Sequence, residues 1–282
     1  MCIACSSSLT KARVLSKNEF SPEEERVFQS FLSDYLDALQ PIEDEIEDFV
    51  AGASASDLES LDSIRSEIQS RTGVYTADFE AVFRSNAEDG LLAGRQLAVR
   101  QSNLDVAFDI IPERALEEID DWVSIAAGST LETITEDSAR WLRGAHRDGL
   151  GLDEIADQLN VELFQGRLEG YVADRAARTA TIATSNTGAH SAIVESSAIG
   201  EQWITSIDDR ERESHADAHQ QVVAVDTAFE VGGVFMQHPG DPSAPVGEIA
   251  NCRCTVVAVF ADQLTESERE AIDAGERITV AI

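Results

Sequence analysis

Residues 203–254 read WITSIDDRERESHADAHQQVVAVDTAFEVGGVFMQHPGDPSAPVGEIANCRC, and here the pattern of the chain changes. Upstream, apolar residues recur every three or four positions, the helical period; here they come in short alternating or β-branched runs between turn residues. Trp203 to Ile207, Val222 to Val225, Val231 to Met236 and, just beyond, Thr255 to Phe260 predict four short strands, with an edge strand over Ile278 to Ile282. The same stretch gathers three of the five histidines, His215, His219 and His238, and two of the four cysteines, Cys252 and Cys254.

Working outward, the first 165 residues read as helical. Ser21, Pro22 and Glu24 supply an N-cap, a first-turn proline and a capping box for a helix over 21–50, in which Pro41 predicts a kink. A polar AGASASD hinge at 51–57 leads to a second helix through Gln69, and Thr76 caps a third running to about Gln101. In that third helix Gly90 and Gly94 lie one turn apart, where missing side chains suit the close approach of another helix. Further helices are predicted at about 112–126, 129–146 and 152–160, with breaks at Gly128 and 149–151, then one long or broken helix from Arg167 to Ser197. Thr265 and Glu268 form a capping box for a last helix to Ala274. The expected class is α+β, a mainly helical N-terminal region followed by a small mixed α+β C-terminal domain. Its divisions are a basic arm over 1–20, a helical region over 21–165 and the α+β domain over 166–282.

The net charge of -32 is unusual, and Lys11 and Lys17 are the only lysines. Self-repulsion of that size destabilises a compact chain at low ionic strength, but at 1 M salt the Debye length falls to about 3 Å and the repulsion is screened. Such a composition resembles that of proteins from extreme halophiles. Residues 1–18 carry Lys11, Arg13 and Lys17 without an acid, a basic arm suited to nucleic acid or an acidic partner. No run of eighteen apolar residues spans a bilayer, and the N-terminus lacks the apolar core of a signal peptide.

Cys252 and Cys254 in an extended CRC point to one side, and His215 and His219 stand one turn apart if Glu211 to Gln221 is helical. Together they form a candidate structural Zn2+ set of two imidazoles and two thiolates; a second set would join Cys2 and Cys5 to Cys252 and Cys254. HADAH falls short of a metalloprotease helix, because Ala216 stands where the general-base glutamate belongs. Asp208 and Asp209 with Arg210 and Arg212 read as an ion-paired turn or, with His215, as the carboxylates of a metal-dependent nuclease or transferase. HPGDP is a tight-turn signal, in which His238 is read as a turn residue.

A helix carrying RTATIATSNTGAHSA (178–192), then WITSIDDRERESHADAHQQVV, PGDP and NCRC, resembles the phage Mu F-like minor head proteins, or phage head morphogenesis proteins. The motif falls on Trp203, Asp208, Asp209, Arg210, Arg212, His215, Pro239, Gly240, Asp241, Asn251, Cys252, Arg253 and Cys254. The chain departs from it at Ser185 and Asn186, near the place where the family helix often carries a glutamate. The resemblance implies a virion protein held inside the head near the portal vertex, found in the host cytoplasm during assembly. Its partners would be the portal protein or major capsid protein, and its work head assembly, DNA packaging or genome delivery. Together with the acidic composition, it suggests a tailed virus of a halophilic archaeon. It supplies no secure catalytic activity. The rival classes are the metal-dependent enzyme above and a metal-free adaptor.

Overall fold

A computed structural model describes residues 20–207 and 210–281. The basic arm with Cys2 and Cys5, and the Asp208–Asp209 pair, lie outside the described residues. The capping box forms as read: the Glu24 N–H donates to Ser21 Oγ (3.2 Å) and the Ser21 N–H to the Glu24 carboxylate (2.8 Å). Helix α1 (Pro22–Gly52) follows and carries Pro41 within it. After a 3-10 turn come α2 (Leu61–Thr72), capped by Ser60, and α3 (Thr76–Ser102).

Helix α4 runs unbroken over Glu113–Arg147, so Gly128 does not end it. One glycine costs a helix roughly 1 kcal/mol against alanine. Burial of Trp122, Val123, Ala127, Leu131 and Ile134 on either side of Gly128 outweighs that penalty. Beyond the Gly149 turn, α5 (Leu152–Gln158) continues through a π-helical segment, Leu159–Val172, into α6 (Ala173–Val194).

The chain divides into two compact units: Gln29–Asn86 with Asp120–Ala177, and Met1–Phe28 with Ala87–Ile119 and Arg178–Ile282. Residue 165, where the sequence places a boundary, lies within the π-helical segment, whereas these units follow packing and interleave along the chain. The first is helical and centred on rings. Phe31 meets Phe83 edge-on at 4.9 Å, Tyr35 meets Phe79 at 5.3 Å, and Phe83 meets Trp122 at 5.5 Å.

The second unit holds the strands β1 (Gly200–Ile204), β2 (Gln221–Ala224), β5 (Thr255–Val259) and β6 (Ile278–Thr279) in an antiparallel sheet ordered β5-β1-β2-β6. The single strand expected over 231–236 is instead a hairpin of β3 (Phe229–Val231) and β4 (Val234–Met236). The cause is Gly232–Gly233, whose φ of 59° and 80° give the two-residue turn that matches strand twist. Between the strands lie α7 (Glu213–Asp217) and α8 (Val246–Ile249), and α9 (Glu266–Asp273) follows β5 with its predicted Thr265–Glu268 capping box.

Helix α6 packs beneath this sheet and against α3. A Cβ on Gly90 would fall 1.9 Å from Thr184 Oγ1, and one on Gly94 would fall 1.8 Å from the Ser185 carbonyl oxygen. The glycine pair therefore sets the helix crossing. Arg95, fully buried beside it, donates to Ser191 Oγ (2.8 Å), the Glu195 carboxylate (2.7 Å) and the Ala107 carbonyl (2.7 Å).

Candidate functional site

Strand β1 is the central scaffold. It is paired on both sides, and its Trp203 side chain is fully buried. The indole N–H donates to Thr205 Oγ1 (3.1 Å), and that hydroxyl donates to the His215 carbonyl (2.7 Å). The ring also meets His215 and Phe229 edge-on at 5.6 and 5.5 Å. A tryptophan of this size placed two residues before a hydroxyl thus positions α7 against the sheet.

Helix α7 stops at Asp217, shorter than the sequence predicted, and the chain turns through Ala218 to Gln220, which has a φ of 63°. His219 consequently leaves the face of His215, and its Nδ1 accepts from the Thr205 N–H (3.1 Å). The four-ligand set containing His219 is thereby corrected to three residues.

Those three are His215, Cys252 and Cys254, all buried, with donor atoms within 4.8 Å of one another. His215 Nδ1 lies 3.2 Å from Cys254 Sγ and 3.7 Å from Cys252 Sγ. A tetrahedral centre with zinc-like bonds of about 2.3 Å to sulfur and about 2.05 Å to nitrogen would hold such atoms roughly 3.5 Å apart. The two distances straddle that separation, so the cluster could hold a metal ion.

The other face of the imidazole was not foreseen. His215 Nε2 lies 3.1 Å from the Glu248 carboxylate, which also accepts from Ser214 Oγ (2.9 Å). A carboxylate that takes the second ring N–H fixes the tautomer leaving Nδ1 free to ligate. Glu248 sits in the one-turn helix α8, where no spacing in the sequence marks it.

Burial opposes charge on the Cys254 thiol, but the hydrogen bonds with Cys252 and His215 hold its pKa well below the usual thiol range. Burial also opposes a charged His215, yet the hydrogen bond and charge of Cys254 raise its pKa. The shared hydrogen bond and burial push Cys252 well up, so this thiol keeps its proton. A metal would replace these protons. The line Cys254–His215–Glu248 has the form of a nucleophile triad, and two sulfurs facing one ring nitrogen also suit a metal ion. The nuclease or transferase reading rests on Asp208 and Asp209, which lie outside the described residues.

The remaining motif residues brace the cluster. Asn186 on α6 donates to the Cys254 carbonyl (3.0 Å) and accepts from the Val256 N–H (3.2 Å), clamping the start of β5. The departure from the family pattern at this position therefore has a structural task of its own. Asn251, at a φ of 55°, donates its N–H to Thr179 Oγ1 (3.1 Å). Arg212 donates to the Ala250 carbonyl, and Ser206 Oγ to the Arg253 carbonyl (2.8 Å). Arg210, Arg212 and Arg253 line a void of about 20 Å³ beside the cluster, room for one water-sized ligand.

Pro239, Gly240 and Asp241 form the expected turn. Asp241 accepts from the Gln237 N–H (2.7 Å), the Ser243 N–H (2.8 Å) and Ser243 Oγ (2.7 Å), and Gly240 has a φ of 79°. His238 is more than a turn residue: it is fully buried, with Nε2 2.9 Å from Glu118.

Helices supporting a small antiparallel sheet, with a buried His–Cys–Cys cluster beside it that could hold a metal ion, characterise the strand-bearing unit. Residues 125–257 match the family model described as Phage Mu protein F like protein. These residues make up a little under half of the chain, and over them it is similar to that family. No match to the chain was found among curated proteins or among solved structures. No helix among the described residues is long and apolar enough to cross a membrane.

Proposed function

We propose that the protein is a minor capsid protein at the portal vertex inside a tailed-virus head, serving head assembly, DNA packaging or genome delivery. The family match carries this reading, because it takes in His215, Cys252, Cys254 and the helices and strands that hold them. The portal protein, the major capsid protein or both are its partners, and the basic arm over 1–18 contacts packaged DNA. Phosphate neutralisation by Lys11, Arg13 and Lys17 supports that last contact, since the remainder of the chain is anionic. Asymmetric electron cryomicroscopy reconstruction of the virion tests the location: density for the protein at a single vertex is expected, and density spread over the whole inner shell would overturn it.

Zinc is the metal we assign to His215, Cys252 and Cys254. A borderline-soft ion suits an imidazole with two thiolates, and an ion without redox chemistry suits a site that stiffens a fold. Bound there, it would tie α7 to the start of β5. Metal analysis of the purified protein should return one zinc per chain, lost in Cys252→Ser. Wild-type protein without stoichiometric metal, and a variant of unchanged stability, would remove the assignment. The scarcity of lysine and the excess of acid suit concentrated salt, the setting of a halophilic host.

A further inference from the structure

A second group of buried ionisable side chains lies apart from the cysteines, where the first turns of α4 meet α6 and the PGDP turn. His238 Nδ1 is 3.2 Å from the Pro239 carbonyl oxygen, which can only accept a hydrogen bond. Its Nε2 is 2.9 Å from Glu118 and 3.2 Å from Thr187 Oγ1, whose own proton goes to the Ala183 carbonyl (3.0 Å). Both ring nitrogens therefore face acceptors, and only the doubly protonated imidazolium satisfies both. A neutral ring leaves one lone pair against an acceptor in a buried site, a costly arrangement.

The surroundings favour that charge. Glu118 comes from α4, Asp241 from the turn itself and Thr187 from α6. His190, also on α6, lies with its ring 5.5 Å from that of His238 and is itself held by Glu201 of β1 (2.8 Å) and faced by Asp226 (3.8 Å). Arg114 on α4 pairs with Asp226 through two hydrogen bonds of 2.8 and 3.1 Å. His190 Nε2 is buried without a hydrogen-bond partner among the described residues. A cavity of about 60 Å³, lined in part by Arg114, Glu118, Thr187 and His190, adjoins the group. That volume admits a few waters, each needing roughly 10–15 Å³, and gives protons a route to the buried rings.

We propose that His238 is a proton-held latch: its imidazolium ties the first turns of α4, through Glu118, to the turn over 237–241, and loss of the proton releases them. Burial alone would lower the pKa of His238, but the hydrogen bond and charge of Glu118, with Asp241 and the Pro239 carbonyl, raise it above the ordinary value of about 6.5. A raised histidine contributes stability that is complete below its unfolded value and is lost as pH rises through the folded one. Glu118 is pushed up by burial yet held low overall by His238, so its contribution disappears as pH falls through its own folded value. The latch is closed between those two limits.

Amide hydrogen exchange of the full chain, corrected for intrinsic rates, tests this alongside imidazole NMR titration. Protection over residues 113–119 and 237–241 should fall at least tenfold as pH is raised from about 6 to about 9, tracking the His238 resonance. In Glu118→Gln the same loss should come at lower pH; in His238→Gln, where it folds, protection should be low and flat. Protection that stays constant while His238 titrates, or a His238 already neutral at about pH 6, would overturn the latch. So would a Glu118→Gln profile that coincides with the wild type.

Discussion

Residues 29–86 and 120–177 pack around aromatic edges, whereas residues 87–119 and 178–281 bury ionisable groups against one another. In the helical unit Phe31, Tyr35, Phe79, Phe83 and Trp122 meet without any polar atom being required. In the strand-bearing unit Arg95, Glu201, His190, His215 and His238 are buried and each is held by an opposite charge or a sulfur. The first arrangement is indifferent to pH and metal. The second is built of groups that exchange protons and, at His215, Cys252 and Cys254, could hold a metal, so the part of the molecule that carries these motif residues is also the part that solution conditions can address.

Metal removal breaks the comparison most sharply. Structural zinc sites in small peptides provide roughly 10–16 kcal/mol of apparent binding free energy, against about 5–15 kcal/mol for the net stability of a whole domain. Chelation should therefore abolish exchange protection around β1 and β5 while leaving that of α2 and the adjoining helices. Equal loss in both units would show them to be one cooperative block. Next in size, Phe83→Ala should cost about 3–5 kcal/mol, read from urea unfolding, with the local loss confined to the helical unit.

Glu43 is the helical unit's exception, and it supplies the third test. Its Oε1 is buried with no hydrogen-bond partner among the described residues, and burial, with Glu169, Glu47 and Asp44 nearby, pushes its pKa up to about 8. An acid raised in the folded state takes stability away as pH climbs from its unfolded value to its folded one. Glu43→Gln should thus stabilise by roughly 1–3 kcal/mol at neutral pH and by nothing near pH 4. A gain independent of pH would show packing to be the cause. Smallest is Gly128→Ala, whose added Cβ meets nothing within 4 Å; thermal unfolding should show a gain of about 0.5–1 kcal/mol.

Much of this was legible because it rests on local chemistry. The capping boxes at Ser21 and Thr265 and the change of period near Trp203 each act within a few residues, and the glycine pair on α3 marks a close approach whatever the distance of its partner along the chain. Errors arose where distant packing decided. Gly128 reads as a break until the apolar face around it is buried, and α7 reads as long enough to carry His219 until the turn through Gln220 ends it. Glu248, Glu118 and Glu201 meet their histidines only after folding, and one acid among so many carries no local mark. In so acidic a chain, composition hides the carboxylates that matter.

The clamp made by Asn186 carries one further consequence, for the order of synthesis. Its two partners, the Cys254 carbonyl and the Val256 N–H, lie about seventy residues downstream, and β1 likewise waits for β5 to cover one edge. At roughly 5–20 residues per second, a ribosome leaves α6 and Trp203 without these neighbours for several seconds. During that interval the buried face of β1 is open to other chains. Only a chain extended through β5 can shut it, so a product truncated before Thr255 would leave one edge of β1 uncovered.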